Sequence, residues 1–276
     1  PIINDESIKA ISKLFAAEGS DSWYEKEPED FLPAGFKCEC GGTKFTKETD
    51  IFDVWFDSGV THKAVMEERG FDTPVDLYLE GADQYRGWFQ SSLLTSSAIY
   101  GRAPYKAVCT HGWVVDGEGK TMHKSLGNGV DPSEITDKYG ADILRLWVAS
   151  SDYHADIRFS NEILKQLTDT YKKIRNTARY ILGNLGDSNG FDVKKDIVPI
   201  NELHEIDKWA LLRLNALIEK CKAAYDAFDF HVAIHGIHNF CVTDMSNFYL
   251  DIIKDRLYCT GEKSDDRRAA QTAMYY

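Results

Sequence analysis

The sequence predicts a doubly wound α/β layer followed by an all-α helical bundle, with the change near residue 160. Three observations carry that expectation. An apolar strand pattern from Val75 to Leu79 is followed by a helical stretch to Gly101 and a second strand from Tyr105 to Thr110, the order of a parallel crossover. A cationic, glycine-flanked loop, Lys120-Thr121-Met122-His123-Lys124-Ser125-Leu126-Gly127-Asn128, then stands between a tight reversal and a helix start. From Ser160 onward strand signals stop and long amphipathic helices begin.

Taken in order, Ile8, Ile11, Leu14 and Phe15 recur at helical spacing after the candidate cap Asp5, so residues 6–18 are expected to form a helix closed by Gly19. Pro28, Pro33 and Gly35 break regular structure ahead of Cys38-Glu39-Cys40-Gly41-Gly42. That pair reads either as half of a zinc knuckle, which needs four ligands, or as two plain thiols on a turn. Asp53-Val54-Trp55-Phe56-Asp57-Ser58-Gly59 sets two aromatics between carboxylates, which suits the edge of a pocket or a strand with Trp55 in the core. Glu80, Asp83 and Gln84 follow the first strand, where an α/β sheet presents its ligand crevice and where helix capping is the competing reading.

His111 closes the second strand, as a ligand contact or as a hydrogen-bonded strand end. The glycines of Asp116-Gly117-Glu118-Gly119 permit a tight reversal, and Asp131-Pro132 reads as an N-cap with proline at the first helical position. The loop between them is thus anchored at both ends. A lysine there, Lys124, can meet negative charge that develops as a triphosphate is cleaved; a solvated basic loop is the plain alternative. Helices are expected over 132–139 and 141–150, the second apolar nearly all round and so buried. In the bundle, helices are expected over 161–182, 202–226 and 230–257, with a loop at 186–201 and a further helix opened by Ser264. Lys165, Lys172, Arg175 and Arg179 share one helix face, suited to a ribose-phosphate backbone or simply to solvent.

With 276 residues, 43% of them hydrophobic, the chain is ordinary globular material. Its net charge of −12 excludes a general nucleic-acid coat, so contact with nucleic acid must be local. Six scattered cysteines suit reduced thiols in the cytoplasm. No run of about 18 apolar residues suggests a membrane span. The chain starts at Pro1 without methionine and reads as a piece of a longer protein.

Several of these stretches together resemble the class I isoleucyl-tRNA synthetases: Asp53 to Gly59, the wording from Leu77 through Glu80-Gly81-Ala82-Asp83-Gln84 to Leu94, the Lys124-Ser125 loop, Gly140-Ala141-Asp142-Ile143-Leu144-Arg145, Lys173-Ile174-Arg175-Asn176-Thr177 and Asn247 to Tyr258. The resemblance implies a Rossmann-like nucleotide-binding half-domain over 1–160, the second half of a catalytic domain, joined over 161–276 to an incomplete anticodon-binding bundle. It further implies ATP-dependent ligation of L-isoleucine to tRNA(Ile) through an adenylate. Mg2+ would accompany the ATP, a zinc would belong to the full-length parent, and that parent would be a cytoplasmic monomer. Glu80, Gly81, Asp83 and Gln84 would line the adenylate site, Trp55 and Trp88 the amino-acid pocket, and His111 and Gly112 the ATP. Thr121, Met122, His123, Lys124 and Ser125 would form the mobile signature loop, with Lys124 catalytic. The loop departs from the family wording at Thr121 and His123, which costs it one lysine; Lys120 next door is the expected substitute. The family's histidine-containing ATP signature and its editing domain have no counterpart in 1–160, so the piece alone is expected to be inactive.

Overall fold

A computed structural model describes residues 2–123, 127–186 and 190–276. The chain divides into two compact units, Pro1–Asp57 and Ser58–Tyr276.

In the first unit, α1 (Asp5–Glu18) is opened by Asn4, whose side chain accepts from Ser7 N at 2.9 Å while the Ser7 hydroxyl reaches back to Asn4 N. The cap is thus one residue earlier than the sequence suggests, because asparagine in extended backbone satisfies the free N–H groups of the first turn. After α2 (Ser22–Glu25), Phe15, Trp23 and Phe31 form an aromatic cluster, with the Trp23 and Phe31 rings 4.9 Å apart. Trp23 Nε1 donates to Glu48 O and Lys47 Nζ to Trp23 O, which ties the returning chain to this small core. The Cys38-to-Gly42 segment is a tight turn, with Gly41 N on Cys38 O at 2.7 Å.

The Asp53–Gly59 stretch is helical, α3 (Val54–Gly59), and no strand. Asp53 Oδ1 accepts from Trp55 N at 2.8 Å, so a local cap overrides the strand preference of Val54, Trp55 and Phe56. Trp55 is 44% exposed, not a core residue.

In the second unit, β1 (Val75–Gly81) runs through a short 3₁₀ turn, Ala82–Arg86, into α4 (Trp88–Tyr100) and returns as β2 (Tyr105–His111), parallel to β1. The crossover expected from the sequence is present. Tyr78, buried from β1, stacks on Trp88 of α4 at 4.1 Å and 6°, and this pair fixes helix to sheet. The chain next forms β3 (Val114–Val115), α5 (Pro132–Tyr139), α6 (Ala141–Ser150) and β4 (Ile157–Arg158). β3 and β4 pair in parallel as a second sheet of two-residue strands that the sequence did not announce. Asp131 caps α5 as expected, accepting from Ser133 N at 2.8 Å. α6 is not buried all round: Ile143 and Trp147 are core, whereas Val148 is 51% exposed, since one flank of the helix faces solvent.

The helical region comprises α7 (Asn161–Leu185), α8 (Glu205–Asp226), α9 (Phe230–Asn239), α10 (Leu250–Ile252), α11 (Lys254–Tyr258) and α12 (Asp265–Tyr275). Ser160 and Ser264 cap α7 and α12. The single helix expected over 230–257 is instead interrupted by a π-helical stretch, Phe240–Tyr249, and by a break at Ile253. Those wider turns place Met245 and Tyr249 in the bundle core. Among the described residues the compact division falls after Asp57, and residues on both sides of 160 share packing. Ile143, Trp147, Phe159 and Leu164 belong to one apolar cluster, and α6 packs on α7 and α9, which welds the sheet-bearing part to the bundle.

Candidate adenylate-type site

The register of β1 and β2 decides which predicted residues meet. Glu80 lies opposite Thr110 and Gly81 opposite His111, so both strands end at one level. Directly beyond, the 3₁₀ turn brings Asp83 back over Gly81: a methyl on Gly81 would lie 2.5 Å from Asp83 Oδ1 and 3.6 Å from His111 Cε1. Glycine is therefore the residue that lets the carboxylate and the imidazole gather at this edge. Gln84 Nε2 donates to Asp83 Oδ2 at 3.0 Å, and Gln84 Oε1 accepts from Trp88 N at 3.0 Å. One side chain thus orients the carboxylate and caps α4 together. Glu80, Asp83 and His111 are exposed, with His111 Nδ1 2.8 Å from Gly112 O. Gln84 thus takes the capping role the sequence offered, while Glu80 and Asp83 stay open to solvent.

Trp88 is half-buried, stacked on Tyr78, with Nε1 donating to Ser58 O at 3.0 Å. Trp55 lies in the first unit.

Gly112 N donates to Tyr153 O at 2.9 Å, and a Cβ on Gly112 would come within 2.6 Å of the Ala155 carbonyl and 2.8 Å of Asp156 N. Those are backbone atoms and cannot swing aside. Gly112→Ala is accordingly expected to destabilise by about 1–3 kcal/mol, measured by urea unfolding; an unchanged midpoint would show that β2 can move at no cost.

The loop after β3 is held by Asp116, which opens the tight reversal read from the sequence, and by Asn128, which had no role assigned from the sequence. Asp116 Oδ1 accepts from Glu118 N at 3.0 Å and Lys120 N at 2.8 Å, closing a turn in which Gly119 has φ 85°. Asn128 Nδ2 donates to Asp116 Oδ2 at 2.9 Å and to Thr121 O at 3.2 Å, while its Oδ1 accepts from His123 N at 2.9 Å. Asn128 first, then the Lys120 N–H, hold the Asp116 carboxyl below the usual carboxylate range. An acidic residue before alternating glycines, with asparagine just after the loop, was the available signal. Thr121 is bridged to Val115 in antiparallel fashion, Met122 leans on the Ile135 cluster, and His123 is exposed. Lys124 and Ser125 lie outside the described residues. Lys120 pairs with Glu118 at 2.8 Å, both side chains more than two-thirds exposed.

All six cysteines are free, and the described residues include no cluster of three or more metal-ligating side chains. No described helix is long and apolar enough to cross a membrane.

The family model for tRNA synthetases class I (I, L, M and V) matches residues 2–160, and that for the anticodon-binding domain of tRNA ligase matches 207–276. The isoleucine–tRNA ligase of Caldanaerobacter subterraneus subsp. tengcongensis is 60% identical over 276 residues, and that of Natranaerobius thermophilus 58%. Both alignments take in the whole of this chain, which spans 29% and 30% of those relatives' lengths. Among solved structures, the agnB2 LeuRS of Agrobacterium radiobacter K84, in a ternary complex with tRNA and LeuAMS, matches with TM-score 0.65 at 20% identity, over 87% of this chain and 30% of its own. A Mycobacterium tuberculosis methionyl-tRNA synthetase with methionyl-adenylate matches with TM-score 0.57 at 21% identity, over 73% and 39%. These likenesses establish a Rossmann-like fold for the sheet-bearing part.

Proposed function

Because the chain belongs to the class I tRNA synthetases of the I, L, M and V group, we propose that it forms part of an isoleucine–tRNA ligase, which joins L-isoleucine to tRNA(Ile) through an isoleucyl-adenylate at the expense of ATP. The observation that carries this reading is the shared strand end, where Glu80, Gly81, Asp83 and His111 converge in a chain 60% identical to a ligase of that name. Carboxylates there suit an α-ammonium group and ribose hydroxyls. His111 and Gly112 face the ATP, and Trp88 walls the branched side chain. Thr121, Met122, His123, Lys124 and Ser125 close on the phosphates. Residues 1–160 then serve as the second half of a catalytic domain and 161–276 as the start of the anticodon-binding bundle.

Mg2+ is assigned as the companion of ATP. For zinc, Cys38 and Cys40 fit two of four positions in the full-length parent: the Gly42 N–H, then the Cys38 thiol, hold the Cys40 thiol below its ordinary pKa, which favours a metal-binding thiolate. We assign the parent to the cytoplasm as a monomer.

The test is isoleucine-dependent exchange of pyrophosphate into ATP by the full-length protein; exchange that valine or leucine drives better would overturn the assignment. The 276-residue chain alone is expected to give no exchange, since transition-state charge must be met from several sides and this chain spans 29% of such a ligase. Exchange above a Lys124→Ala control would reject that expectation.

Trp88→Ala in the full-length protein should weaken isoleucine binding about tenfold or more while sparing ATP, from roughly 1–3 kcal/mol of lost apolar contact. Calorimetry with each ligand checks it. Loss of ATP binding with isoleucine binding intact would place the pocket elsewhere. Asn128→Ala should slow adenylate formation about tenfold with isoleucine affinity intact, because three loop contacts go together. Stopped-flow rates decide this, and a rate within twofold of the parent's would reject Asn128 as a loop anchor.

A further inference from the structure

One side chain ties the end of β2 to the far turn of the bundle. Tyr153, between α6 and β4, accepts from Gly112 N through its carbonyl at 2.9 Å. Its hydroxyl accepts from the Cys109 thiol of β2 at 3.2 Å and donates to Phe228 O, in the turn between α8 and α9, at 2.6 Å. The donors run in one direction, S–H to hydroxyl to carbonyl. Burial first, and then Cys109, raise the pKa of the Tyr153 hydroxyl above its ordinary value, so it stays protonated and keeps donating. Cys109 is 8% exposed, opposite Leu79 in the register and two residues before His111.

The other end of the relay is a strained residue. Phe228 has φ 61°, a left-handed conformation that an L side chain with a Cβ rarely adopts. It is held there by its own N–H on Tyr225 O at 3.1 Å, by the neighbouring Asp229 N on Ala224 O at 2.8 Å, and by Tyr153 on its carbonyl. Phe230 packs beside both, with its ring 6.0 Å from Tyr153 and 6.2 Å from Phe228. Tyr153 therefore bonds to the strand that ends in His111, to Gly112 after it, and to the turn that joins two bundle helices.

We propose that Tyr153 is a positioning residue that couples the α8–α9 turn to the carboxyl end of β2, so that a displacement of the bundle is felt at His111 and Gly112. This rests on reading that end as the adenylate site.

The test is a double-mutant cycle in the full-length protein with Tyr153→Phe, Phe228→Gly and their combination. Phe228→Gly places a residue that tolerates φ 61° where the strain lies, so the turn retains its fold. Two readouts are taken: the rate at which iodoacetamide alkylates Cys109, followed on its peptide by mass spectrometry, and kcat and KM for isoleucine-dependent pyrophosphate exchange. Tyr153→Phe is expected to raise Cys109 alkylation about fivefold and lower exchange kcat about fivefold, with KM for isoleucine within twofold. Phe228→Gly should move both about twofold in the same sense, and the double variant should match Tyr153→Phe alone. Cys109 alkylation unchanged by Phe228→Gly, effects that multiply, or an exchange kcat untouched by either substitution would overturn the proposal. Coupled alkylation in a protein showing no isoleucine-dependent exchange would uphold the link between turn and strand and reject the functional reading instead.

Discussion

Replacing Asp207 by alanine is expected to destabilise the helical bundle by about 3–5 kcal/mol. Asp207 is fully buried at the start of α8. Its Oδ1 accepts from Tyr249 at 2.8 Å and Arg256 NH1 at 2.9 Å, and its Oδ2 from Arg256 NH2 at 2.7 Å and His204 N at 3.3 Å. Arg256, 14% exposed, also donates to Asp266 O at the start of α12. One carboxylate thus joins α8, the π-helical stretch, α11 and α12. Alanine would leave a guanidinium and a tyrosine hydroxyl buried without their acceptor, and the penalty of that orphaned charge exceeds the worth of the pair itself. Asp207→Asn retains one acceptor but no charge, and should lie between alanine and the parent. Trp209 packs on the same core, so its fluorescence during urea unfolding reports the transition. A loss below about 1 kcal/mol would mean that water replaces the carboxylate and that the site is not dry.

This network also marks the limit of what the sequence discloses. Asp207 and Arg256 stand far apart in the chain, and neither has a pattern that names the other. By contrast, the β1–α4–β2 crossover was legible because apolar residues recur at strand spacing, then helix spacing, then strand spacing, and a parallel connection follows from that order. Asp131 and Ser264 were legible as helix openers because capping is local. The pairing of β3 with β4 was not, since two-residue strands carry no alternation. The π-helical stretch at Phe240–Tyr249 contains neither glycine nor proline to betray it. At the candidate site, the carboxyl-end rule was enough to gather Glu80, Asp83 and His111. Asn128 was hidden because its role depends on the chain returning to Asp116, and Tyr153 because its partners come from β2 and a turn in the bundle.

Lys124→Ala in the full-length protein is expected to lower the rate of adenylate formation on the order of a hundredfold, equivalent to about 2.7 kcal/mol, with little change in isoleucine affinity. Lys124 itself lies outside the described residues, but the loop that carries it does not begin or end freely. Thr121 is bridged to Val115, His123 N and Thr121 O are bonded to Asn128, and Asn128 is bonded to Asp116. The role proposed for Lys124 is to meet charge that develops on the leaving pyrophosphate, a stabilisation that acts in the transition state. Lys120, the expected substitute for the family lysine replaced by Thr121, is paired with Glu118 at 2.8 Å with both side chains largely exposed. Such a pair contributes little and leaves Lys120 partly neutralised. The prediction is therefore asymmetric: Lys120→Ala should slow adenylate formation less than about threefold, and Lys124→Ala roughly a hundredfold. Single-turnover formation of isoleucyl-adenylate, measured beside equilibrium binding of isoleucine, separates the two. Equal effects of the two lysines would show that the charge is shared along the loop, and a hundredfold loss of isoleucine affinity would assign Lys124 to ground-state binding instead.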